Sequence, residues 1–101
     1  MTDQKILQVL NFYQAYLERI NEVNLGRINQ AKKADYDRPP NKIEAFNHLL
    51  AMIPEMREFL KQGRREKVFR WLGFIQGVLW LGGLFTLDEL KNHSKPEGEE
   101  K

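Results

Sequence analysis

The densest set of groups able to do chemistry is the run Arg64-Arg65-Glu66-Lys67-Val68-Phe69-Arg70-Trp71. On a helix, Arg64, Lys67 and Trp71 fall at steps of three and four and share one face. Guanidinium forks match phosphate and carboxylate oxygens, and an indole offers a stacking surface for a base or another guanidinium. The run also opens a helix, where free backbone donors favour an anion. The spacing predicts that Arg64, Arg65, Lys67, Arg70 and Trp71 contact an anionic ligand or an acidic partner. Gln76, the one polar residue in the apolar run that follows, joins that set. The competing reading is a solvated basic face, with Arg70 snorkelling from a buried surface and Trp71 in the core. Without the basic cluster, the groove between the first and third helices is the next candidate, with Gln76 and Asn24 as its polar groups.

Catalytic patterns are absent: the chain has no GxGxxG, P-loop, HExxH or GxSxG sequence. With no cysteine, disulfides, thiolate zinc sites and cysteine nucleophiles are excluded. The two histidines are His48 and His93. Glu44 and His48, four apart, offer two metal ligands at most, and such a pair is more often a surface contact. Asp35, Asp37, Asp88 and Glu89 have nothing that pairs them across a cleft. No enzyme, no metal and no cofactor is expected. A helix-turn-helix over 54–75, with Gly63 in the turn, would present bulky hydrophobes to the bases, so sequence-specific nucleic-acid binding is set aside.

The elements follow from periodicity. The chain's 101 residues, 42% hydrophobic and 30% charged, make one soluble-type domain. Ile6, Leu10, Tyr13, Leu17, Ile20 and Asn24 alternate steps of four and three, with Val9, Phe12, Tyr16 and Val23 beside them; this predicts a helix from 3 to about 33. Gly26 marks where it frays or kinks. The ADYDRPP segment, 34–40, is a loop. Asn41 with Glu44 reads as a capping box opening a second helix, in which Pro54 predicts a kink or a break into two. Gly63 reads as its C-terminal cap. A third helix runs from Arg64 to Leu81, apolar on every side after Arg70 except at Gln76, and Gly82-Gly83 end it. Thr86 with Glu89 caps a short fourth helix to about His93. The expected fold is all-α: three long helices and one short one over 1–93, the first helix antiparallel to the third, followed by a disordered acidic tail over 94–101.

A helix apolar on all sides is either central or in a membrane. From Trp71 to Phe85 it would span about 22 Å, against the roughly 30 Å of a bilayer's hydrocarbon, so length argues against a membrane span. The remaining expectation is a homo-oligomer, with Phe69, Leu72, Ile75, Val78 and Leu79 at the contact. The N-terminal MTDQKILQVL has an acidic residue where a signal peptide is basic, which predicts a protein that stays where it is made. Charge is uneven along the chain: six cations stand against two acids between Arg57 and Arg70, and Glu97, Glu99 and Glu100 crowd the end.

The run Glu66-Lys67-Val68-Phe69-Arg70-Trp71-Leu72-Gly73-Phe74-Ile75-Gln76-Gly77-Val78-Leu79-Trp80, with Thr86-Leu87-Asp88-Glu89-Leu90-Lys91 after it, resembles the C-terminal half of small tailed-phage and prophage proteins of uncharacterised function. The resemblance implies a phage accessory protein in the host cytoplasm and brings no activity or cofactor with it. In size and helical make-up the chain is also similar to phage proteins that antagonise host immunity by sequestering nucleotide signals.

Overall fold

Local hydrogen bonding sets where the helices start and stop. At Asn41 the side chain accepts from Glu44 N–H at 2.8 Å, and the Glu44 carboxylate accepts from Asn41 N–H at 2.9 Å. The same reciprocal pair recurs between Thr86 and Glu89. Thr2 caps the first helix through the Lys5 amide at 3.1 Å. Gly63 has φ +77°, so that Arg64 N–H reaches Phe59 O at 2.9 Å and Gly63 N–H reaches Leu60 O at 3.1 Å. Gly83, at φ +81°, closes the next helix in the same way, through Leu84 N–H to Leu79 O. A residue with a Cβ is strained in that left-handed conformation.

A computed structural model describes residues 1–23 and 32–95. It contains α1 (Asp3–Val23), α2 (Lys42–Lys61), α3 (Arg65–Leu81) and α4 (Leu87–Ser94), with no strand among the described residues. The chain is therefore an all-α bundle, as its periodicity predicts. Asn24, Gly26 and the side chain of Val23 lie outside what is described, as does the tail from 96 onward. The first helix does not extend to 33. Lys32 N–H donates to Asn47 O at 3.2 Å and Ala34 N–H to His48 Nδ1 at 2.9 Å, so these amides serve α2 rather than an α1 turn. Pro54 leaves α2 as one continuous helix, and its ring sits on the exposed side. At its other end α4 includes Ser94, the first residue of the expected tail.

The core is one cluster, with Ile6, Leu10, Tyr13 and Leu17 from α1 fully buried. Phe12, expected beside them, is 43% exposed. The hub is α2, which packs on both α1 and α3, while α3 carries α4. It can do so because Phe46, Leu50, Ile53 and Leu60 form one buried row and Leu49, Met52 and Met56 a second beside it. α3 turns back on α2 through the short Gly63 connection, and α1 runs parallel to α3, contrary to expectation. Side-chain contacts fix this direction: Asp3 meets Arg65, and ten residues on, Tyr13 meets Gln76. At the far end of α3, a Cβ on Gly82 would stand 2.8 Å from the Phe46 ring, so only glycine lets that ring close the α2–α3 pair.

α3 is not apolar all round in its packing. Leu72, Ile75 and Leu79 are buried in the chain's own core, together with Val68. They cannot form the oligomer contact expected of them, because α2 already covers that side. Of the predicted contact set, Phe69 is 38% exposed and Val78 half-buried. No described helix is long and apolar enough to cross a membrane.

Candidate anion-binding face

The Gly63 turn folds the last turn of α2 against the first turns of α3 and brings Phe59 and Trp71 together. Their ring centroids are 5.0 Å apart and the rings are perpendicular, the edge-to-face geometry that aromatic quadrupoles favour. Arg64 Cζ lies 4.8 Å from the Phe59 centroid, and Lys67 Nζ lies 4.4 Å from Phe59 and 5.5 Å from Trp71. The expected common face of Arg64, Lys67 and Trp71 is therefore formed, and its centre is Phe59, a residue the sequence reading missed. The available signal was an aromatic four residues before a turn glycine, with Lys67 four residues after it.

Cation–π attraction holds a charge in place without neutralising it. Among the described residues, neither Arg64 nor Lys67 has a carboxylate within ion-pair distance. Arg64 is also the N-cap of α3 and makes no side-chain capping bond, so no cap side chain satisfies the first-turn N–H groups behind it.

The other predicted residues are placed elsewhere. Arg65 turns toward α1, where its guanidinium pairs with Asp3 and donates to the Met1 carbonyl. Arg70 is exposed on the side of α3 away from the core. Gln76 donates to Tyr13 Oη at 3.1 Å and to Ser94 Oγ at 2.7 Å, and Tyr13 Oη lies 2.9 Å from His93 Nδ1. That network joins α1, α3 and α4 on another side of α3. Burial raises the Tyr13 pKa, and burial likewise lowers that of His93, which favours the neutral phenol and the neutral imidazole in this pair.

Glu44 and His48 do not form a metal pair. Arg38 grips the Glu44 carboxylate at 2.5 and 3.1 Å and, with the Asn41 amide, holds its pKa down to about 2. His48 Nδ1 is taken by Ala34 N–H, and burial followed by the nearby Lys33 lowers its pKa. The described residues contain no cluster of three metal-ligating groups. His48 instead borders a cavity of about 340 Å³ whose apolar wall includes Pro40, Phe74 and Val78.

Comparison with protein-family models, curated proteins and solved structures finds no match to this chain.

Proposed function

We propose that this protein acts by stoichiometric binding without catalysis, and that the Phe59–Arg64–Lys67–Trp71 face takes an anionic group of its partner. The observation that carries this reading is a pair of cations held on an aromatic pair with no described carboxylate to neutralise them. The first-turn amides of α3 add donors at the same corner. In the first reading the anion is a phosphate of a nucleotide whose base stacks on the aromatic pair. Combined with the phage resemblance, this makes the protein a sequestering agent for a nucleotide immune signal and so an antagonist of host defence.

A second reading, docking on an acidic host or phage protein, is favoured by the openness of the face. Arg64 is exposed at a helix corner, and the cavities beside His48 and at the α3–α4 corner lie elsewhere.

Calorimetry separates the two. Saturable heat with cyclic or linear nucleotides supports the first reading, and heat with an acidic polypeptide alone supports the second. Either affinity should weaken as salt rises past about 0.15 M, where the screening length is about 8 Å. The Arg64→Glu/Lys67→Glu double variant should lose binding, and an unchanged affinity would remove this face from the site. Arg65 is a poor probe, because its reversal also breaks the contact with Asp3.

A further inference from the structure

The side of α3 that points away from the core is apolar and uncovered. Successive helical residues are about 100° apart, so the buried row of Val68, Leu72, Ile75 and Leu79 takes one side. Gly73, Phe74, Gly77, Trp80 and Leu81 fall in the opposite sector, with Arg70 at its N-terminal end. Phe74 is 52% exposed, Trp80 50% and Leu81 85%. A Cβ built on Gly73 or Gly77 meets nothing within 4 Å. A contiguous exposed surface of this kind marks an interaction site.

The layout is self-complementary about Gly77. Leu81 lies four residues after it and Gly73 four before; Trp80 lies three after and Phe74 three before. A second α3 laid antiparallel across Gly77 brings together side chains offset to the same side of the face, so it seats each Trp80 over the other copy's Gly73, a knob over a hole, and sets each Leu81 beside the other's Phe74. At the crossing, glycine meets glycine and the backbones can approach closely.

Charge selects the direction and the occupant. Arg70 is exposed seven residues before Gly77. The corresponding distance beyond Gly77 reaches the α3–α4 corner, where a cavity of about 530 Å³ is lined by Trp80, Asp88 and Glu89 among others. An antiparallel pair brings Arg70 of each copy to the acidic corner of the other. A parallel pair would set Arg70 against Arg70 and Asp88 against Asp88, which like-charge repulsion opposes. We infer that the protein forms a twofold homodimer through this face, antiparallel across Gly77. The contact is isologous, as a closed dimer requires, and is independent of the anion-binding reading.

Light scattering at tens of micromolar should give twice the 12.0 kDa chain mass. The Gly77→Arg variant should be monomeric with an unchanged helical spectrum, since that position opens to space. Arg70→Glu and Asp88→Arg should each weaken the dimer, and the two together should restore it. The chain has no cysteine, so Gly77→Cys under mild oxidation should give a covalent dimer on a non-reducing gel, which tests the crossing point without disrupting the face. A monomeric wild type, a dimer that survives a folded Gly77→Arg, or no cross-link at position 77 overturns the proposal.

Discussion

Two clusters in this protein join polar side chains to aromatic rings, and they use those polar groups in opposite ways. Between α1, α3 and α4, Gln76, Tyr13, Ser94 and His93 bond to one another, and the rings of Phe12 and Phe85 stand 5.0 and 4.9 Å from the imidazole. Their hydrogen-bonding capacity goes into fastening a short helix that buries only Leu90. Between α2 and α3, Arg64 and Lys67 lean on Phe59 and Trp71 with their charge unanswered by any described carboxylate. Inward bonding spends polar groups on the fold, whereas stacking a cation on a ring positions it and keeps its charge available. That difference is why the second cluster, and not the first, is the binding candidate.

Substitutions that respect this contrast should divide into those that unfold and those that only unbind. The largest effect is expected from Tyr13→Ala, which empties a fully buried site, takes away the hydrogen bond at His93 Nδ1 and leaves Gln76 with Ser94 alone. Urea unfolding should register a loss of about 3–5 kcal/mol. Gly82→Ala touches neither cluster and calibrates the packing between them. Its Cβ collides with the Phe46 ring, and a cost of about 1–3 kcal/mol is expected from the same measurement. Acidification should act on the inward cluster and on the His48 contact. Burial lowers both imidazole pKa values from the usual 6.5, so the unfolded chain binds protons more readily. The stability due to the neutral rings is complete above pH 6.5 and is lost as pH falls through the depressed native values. Thermal melts of His93→Gln and His48→Gln should flatten that slope, and an unchanged slope would assign it to other groups. The smallest change in stability belongs to Arg64→Glu/Lys67→Glu, within about 1 kcal/mol, although it should abolish anion binding.

Signals confined to a few neighbouring residues were legible in the sequence. Asn41 with Glu44, Thr86 with Glu89 and Gly63 act over three or four residues, and each behaves as its type predicts. Direction and centrality were not legible in this way. α1 runs parallel to α3 because Asp3 meets Arg65 and Tyr13 meets Gln76, contacts between residues more than sixty positions apart, and α2 is the hub because two of its apolar rows adjoin. The apolar run of α3 hid which side faces the core, since Leu72 and Leu81 look alike in sequence and only packing separates them. At the candidate site, Arg64, Lys67 and Trp71 share a helix and were found by spacing. Phe59 sits across a turn, signalled only by its spacing from Gly63 and Lys67, and Arg65 answers Asp3 some sixty positions away, a contact no local pattern encodes. Gln76 stands out in the sequence as the odd polar residue, and the structure gives it Tyr13 and Ser94 as hydrogen-bond partners, which its local sequence does not reveal.

The α2–α3 pair is closed at both ends, by the Gly63 turn at one and by Phe46 against Gly82 at the other. The turn contacts link residues close in sequence, and the helix pair can zip from them toward Phe46 and Gly82, so each step costs little loop entropy and the pair can form early. α1 must come back across the longer connection that ends at the Lys32–Asn47 bond. The hairpin is therefore expected to be the folding nucleus, with α1 the last main helix to dock and the first to open. Native-state hydrogen exchange should find the α1 amides protected only against a partial opening, and the Met52–Leu60 and Leu72–Leu79 amides protected up to global unfolding.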